Sequence, residues 1–160
     1  MKDVLLATTM ALQIPGSCVQ AAPPGYEAGP LEVPEALSLS FDLTLARRFT
    51  EARCLAQAVA DMHGSATFDD TVEAHYRLLE ISFITGDMDL AETSGRRLLS
   101  DLRGKPEYAT RRAGLVERLC NDEDWATGWV RFSDTCAAER GTEDNLPNNS
   151  LKRTNQSLRD

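Results

Sequence analysis

Aromatic residues are scarce in this 160-residue chain, at 6% for Phe, Trp and Tyr together. β-branched residues are also few. Sheets bury branched and aromatic side chains on their pleated faces, so both shortages argue against an all-β fold. Imidazoles are rarer still. His63 and His75 are the only two, and no CxxC, HExxH or paired-His spacing is present. That leaves no metal set and no cofactor motif to expect. There is no G-x-S-x-G, and Gly104-Lys105 lacks the glycine-rich lead-in of a phosphate loop. No apolar run reaches the roughly 20 residues that a membrane-spanning helix needs, so stable membrane insertion is not expected. Three Lys stand against fourteen Arg, which we read as genomic composition.

What is present suits one helical domain. Apolar residues make up 42% of the chain, enough for a core at this length. The net charge of −8 disfavours nucleic acid as a partner. The charge is also uneven. Asp61–Glu92 holds eight acids and one Arg, whereas Arg96–Arg118 holds seven bases and three acids. Side by side, the two segments neutralise each other. The alternative is a basic docking patch of Arg96, Arg97, Arg111 and Arg112 for an acidic partner.

The most regular stretch is Val72–Arg103. Val72, Tyr76, Leu79 and Phe83 share one face of a helix of period 3.6, and Ala74, Leu78 and Ile81 form a second apolar row. A helix apolar on two sides is expected between two neighbours. Gly86 fits the left-handed position that ends a helix, and Asp87 fits the N-cap of the next. Ala91, Gly95, Leu98 and Leu102 continue the pattern, with two small residues that allow close approach.

This hairpin resembles a tetratricopeptide repeat, a helix–turn–helix unit of about 34 residues. Leu78, Gly86-Asp87, Ala91 and Leu98-Leu99 carry the likeness. The resemblance implies a ligand groove lined by first-helix residues, here Glu73, Tyr76, Glu80, Phe83 and Ile84. Such a mixed aromatic and acidic surface suits a short basic or apolar peptide. The bland reading is that Tyr76 and Phe83 pack against the next hairpin.

Around this unit the chain reads as follows. Residues 1–21 resemble a secretory signal, with Lys2, an apolar run Val4–Ile14 and small residues before Ala21. Asp3 counts against it, and a frayed helix on a cytoplasmic protein is the alternative. Residues 22–33 are rich in Pro and Gly and read as a linker. Residues 34–140 form the helical-hairpin domain. Within it Leu37, Leu39, Phe41, Leu43 and Leu45 alternate as in a strand, but no partner strand is apparent, so helix is preferred. The spacing Leu45, Phe49, Ala52, Ala56 and Val59 is helical, and residues 48–52 resemble the start of a second repeat helix, which makes Pro34–Met62 a degenerate hairpin. The spacing Ala109, Ala113, Val116 and Cys120 is also helical, and again Trp125, Trp129, Phe132 and Cys136. Small residues Ala52, Ala91 and Gly128 mark a loose repeat. Residues 141–160 read as a disordered tail.

The four cysteines sit on apolar faces, where buried free thiols are the default. Cys136 lies about 17 Å along its predicted helix, at about 1.5 Å per residue, which argues against a bridge to Cys120. His75 with Cys54 or Cys120 is a nucleophilic pair only on paper.

The expectation is an all-α fold of two to three stacked antiparallel hairpins, a short tetratricopeptide-like array. Such arrays need about three repeats, so a partner, a homodimer or a capping first segment is expected. We expect a non-enzymatic module for a protein or peptide partner, with no cofactor. The alternatives are a small enzyme or accessory fragment using an unrecognised Cys or carboxylate site, and a decayed reading frame. A periplasmic or secreted location is favoured, with cleavage after Ala21; the cytoplasm is the alternative.

Overall fold

A computed structural model describes residues 18–19, 23–26, 31–62, 65–121 and 131–138. Among these the chain is all-α: α1 (Val33–Leu45), α2 (Phe49–Ala60), α3 (Phe68–Thr85), α4 (Met88–Asp101), α5 (Ala109–Asn121) and α6 (131–138). It divides into two units, Met1–Ala113 and Gly114–Asp160. In the first, α1 packs on α2, α2 on α3, and α3 on α4, while α1 also touches α3. Stacked helical hairpins result.

Residues 37–45 are helical, as expected. Pro34 sits in the first turn of α1, where a missing N–H leaves no bond unmade. Glu32 and Glu35 close a capping box around the same turn. The hairpin expected over Pro34–Met62 is present, with α2 starting within residues 48–52 as expected, but Leu45 ends α1 and does not belong to the face of α2. Ala46–Arg48 form a turn, because Arg47 takes a left-handed conformation with φ of 60°. The N–H groups of Arg47 and Arg48 then bond back to Thr44 and Leu43, at 3.0 and 2.8 Å.

The turn predicted at Gly86 has the same design. Gly86 has φ of 76°, and the N–H groups of Gly86 and Asp87 return to Phe83 and Ser82. Asp87 then caps α4, accepting from the Leu90 N–H at 3.2 Å. That backbone bond, aided by Arg53, holds the Asp87 carboxyl below its ordinary range. The two turns thus close two hairpins in one way, once with glycine and once without.

The offset between Arg47 and Gly86, 39 residues, also relates the buried positions. Ala52, Leu55, Ala56, Val59 and Ala60 of α2 map onto Ala91, Ser94, Gly95, Leu98 and Leu99 of α4, and all ten are buried. In the first helices Val33, Leu39 and Leu43 map onto Val72, Leu78 and Ser82, again all buried. The first unit is therefore an internal repeat. The expected two-sided burial of α3 holds: Val72 and Leu79 are buried on one row, and Ala74, Leu78 and Ile81 on the other.

The face expected for α5 is corrected. Ala109 and Ala113 are exposed, and Leu115 and Leu119 are buried instead. The larger side chains remove more apolar surface from water, so the leucine pair sets the inward face. The expected helix through Trp125 and Trp129 lies outside the described residues, as do Gly128, His63, Gly64, most of residues 1–21 and all of 141–160.

The cysteines are also corrected. All four are paired, Cys18 with Cys54 and Cys120 with Cys136. The Cα atoms of Cys120 and Cys136 are 5.7 Å apart. The rise argument measured distance along one helix axis, whereas the two residues meet across two helices. The Cys18–Cys54 bridge spans 36 residues, a loop length for which a disulfide typically stabilises by about 2–4 kcal/mol. Pairing also removes the thiol half of the His75–Cys54 and His75–Cys120 combinations.

A Cβ added at Gly86 meets nothing within 4 Å, so replacement there acts through backbone conformation alone. Gly86→Ala is expected to lower the unfolding free energy by about 1 kcal/mol, and Arg47→Gly to leave it unchanged or raise it by up to about 1 kcal/mol. Urea denaturation of both variants checks this. Equal losses in both would mean that the left-handed positions do not control the turns.

Candidate functional site

The groove residues implied by the repeat resemblance all lie on α3, and the structure divides them into two groups. At the N-terminal end, Glu73 and Tyr76 are engaged by the protein itself. The Glu73 carboxylate takes the Arg111 guanidinium at 2.6 Å and the Arg77 guanidinium at 2.7 Å. The Tyr76 hydroxyl donates to the Arg111 carbonyl at 3.2 Å, and the Arg111 guanidinium lies 4.5 Å from the Tyr76 ring centre. Stacking and ion pairing together fasten the start of α5 onto this end of α3. Glu80 pairs with Arg77 at 3.3 Å, and Phe83 is half-buried.

The C-terminal end of α3 differs. Ile84 is 58% exposed. One repeat earlier, Leu45 occupies the equivalent position at the end of α1 and is 67% exposed. One turn before Leu45, Phe41 is 41% exposed. The Arg77 guanidinium lies 4.5 Å from the Phe41 ring centre and joins the two helices. Phe41 and Leu45 are four residues apart on α1, and Arg77, Glu80 and Ile84 follow one face of α3 at three and four residues. Because α2 runs back between them, α1 and α3 point the same way and end on the same side. Exposed apolar side chains thus stand at the ends of two helices, Phe41 and Leu45 on α1 and Ile84 on α3, with the Arg77–Glu80 ion pair on the same face of α3.

Sequence reasoning missed Phe41 and Leu45. Leu45 was assigned to the face of α2, because the turn at Arg47 carries no Gly, Pro or Asn to announce it. The 39-residue offset between Ala52 and Ala91 was the available signal, since it maps Leu45 onto Ile84.

The proposed basic patch is distributed over two helices and largely matched by acids. Arg96 pairs with Glu92 at 3.0 Å and Arg97 with Asp101 at 2.8 Å, both along α4. Arg111 is on Glu73, and Arg112, on α5, is half-buried. The pairs Glu73–Arg111 and Glu92–Arg96 join the acidic and basic segments. Exposed pairs of this kind are typically worth below about 1 kcal/mol each.

No group of three or more His, Cys, Asp or Glu that could hold a metal ion occurs among the described residues. An open groove of about 500 Å³ runs beside α2, lined by Thr50, Arg53, Cys54, Gln57 and Ala58; the Arg53–Asp87 ion pair, at 2.7 Å, reaches from it to the cap of α4. Among the described residues, no helix is long and apolar enough to cross a membrane.

His75 is half-buried on α3, and its Nδ1 has no hydrogen-bond partner. Burial depresses its pKa, with Asp101 and Asp61 pulling it up and Arg97 pulling it down. The folded state thus prefers the neutral ring more strongly than the unfolded chain does. Its contribution is full above the unfolded imidazole range, near about 6.5, and is lost as pH falls towards the lower folded value. Urea midpoints are expected to fall between about pH 7 and pH 5.5, and His75→Leu to remove part of that fall. An unchanged slope in His75→Leu would assign the pH dependence to other groups.

No protein-family model, curated protein or solved structure matches this chain, so its function is read from its own residues.

Proposed function

We propose that the protein is a non-enzymatic interaction module, a short tetratricopeptide-like array that takes an apolar and basic peptide segment of a partner protein across α1 and α3. One observation carries this reading. Leu45 and Ile84, equivalent positions in successive hairpins, are both exposed in the last turns of α1 and α3, with Phe41 one turn before Leu45. Exposed apolar residues are common singly, but a strip held in register across two helices is a docking geometry. The chain as a whole is acidic, so lysine or arginine on the partner would be drawn to it.

The internal repeat of 39 residues supports an array, with a unit longer than the 34 residues of the usual repeat. The groove of that family is correspondingly reduced. Its N-terminal half is filled by Arg111, and the open part lies towards Leu45 and Ile84. Two disulfides support an oxidising compartment, periplasmic or extracellular.

The test uses two labelled amphipathic peptides of one helical pattern, one built from Leu and Lys and the other from Leu and Glu. Fluorescence anisotropy should show binding of the Leu/Lys peptide and little of the Leu/Glu peptide. Leu45→Asp with Ile84→Asp, both at exposed positions, should weaken the Leu/Lys complex at least about tenfold, or about 1.4 kcal/mol. Equal binding of both peptides, or no effect of the double variant, would remove the strip as the binding surface.

A further inference from the structure

Cys18 belongs to the core of the helical domain. Its side chain is 0% exposed. It shares one apolar cluster with Leu31, Val33, Leu39, Leu55 and Val59, and Val19 packs against that cluster. Its sulfur is bonded to that of Cys54 on α2. Further along, the Tyr26 hydroxyl donates to the Asp42 carboxylate of α1 at 2.7 Å, and Leu31 is 6% exposed. The described residues between Cys18 and Glu32 are thus fastened to α1 and α2 at several separate points.

We infer that Cys18 stays with the folded protein, so that proteolytic processing compatible with this fold either cuts before Cys18 or leaves the two pieces joined through the Cys18–Cys54 bond. The inference does not depend on what the α1–α3 strip binds. Without residue 18, Cys54 is left as a single thiol and the chain carries three cysteines, an odd number. The apolar neighbours of Cys18 lose the group that keeps water from them. If the chain is cut after Ala21 once folded, hydrolysis adds one water across the Ala21–Ala22 peptide bond and leaves the Cys18–Cys54 bond intact. The product is two chains joined by a disulfide. Their separation needs a dithiol reductant, which delivers two electrons and two protons to the two sulfurs while its own thiols become a disulfide.

Cys18 is therefore a covalent clamp rather than part of a detached leader. Signal-like features upstream are compatible with this, provided that cleavage falls on the N-terminal side of Cys18.

The experiment exports the full chain through an oxidising compartment, alkylates it in the native state with iodoacetamide, and measures its N-terminus and intact mass with and without reductant. Support is a chain beginning at or before Cys18 with Cys18 and Cys54 alkylated only after reduction. A species cut within residues 19–22 that splits only on reduction supports it equally. A mature chain beginning at Ala22 with Cys54 alkylated directly overturns it, and so does a longer chain in which both thiols are alkylated without reduction. As a second readout, Cys54→Ser should raise the rate of proteolytic cutting within residues 19–32 by roughly an order of magnitude. An unchanged rate would show that the segment is not held through the clamp.

Discussion

The double-sided burial of α3 is the constraint on which the first unit depends. A helix with one apolar stripe can lie on the outside of a domain. α3 has two, Val72 with Leu79 and Ala74 with Leu78 and Ile81, and both are buried. It therefore requires a neighbour on each side, which α2 and α4 supply. Ala91 and Gly95 permit the close approach of α4, and the short turns at Arg47 and Gly86 leave each hairpin little choice of direction. The polar links complete the arrangement without governing it: the buried Ser40 hydroxyl donates to the Ala52 carbonyl, joining α1 to α2, and Arg111 holds the start of α5 to α3.

Much of this arrangement was legible in the sequence, for a physical reason. Apolar periodicity, the Gly86 left-handed turn and the Asp87 cap are local signals, and each has one strong interpretation. The second helix start at residues 48–52 was legible, but the place of the turn was not, because its left-handed residue is an arginine and its hydrogen bonds involve only backbone. The inward face of α5 was hidden because alanines and leucines both followed helical spacing, and only packing decides between them. The disulfides were hidden more deeply. Bridging depends on separation through space, and linear spacing along a predicted helix measures something else.

The candidate site shows the same division. Its α3 residues could be named from the resemblance, but their use could not. Tyr76 and Glu73 lie where α5 arrives, so the chain consumes the half of the surface that looked richest in chemistry. The half that remains open is apolar and modest, and it is recognisable only once two hairpins are placed in register. Side chains that seem poised for a ligand in a sequence are often the ones a neighbouring helix takes first, because both seek the same aromatic and charged groups.

The 39-residue register also governs how the chain can be assembled in time. The side-chain links between helices described above, Arg53–Asp87, Tyr76–Arg111 and Glu73–Arg111, reach across 34 to 38 residues and no further. Links one repeat long join neighbouring hairpins only, so none needs the whole chain before it can close. Each hairpin can form as its own residues become available, and the next can build on it. The bond between Cys18 and Cys54 is different in kind. Its formation depends on an oxidant and takes seconds or longer, whereas helices form in about a microsecond. The helices would then be docked before the sulfurs join, and the disulfide would seal an arrangement already made.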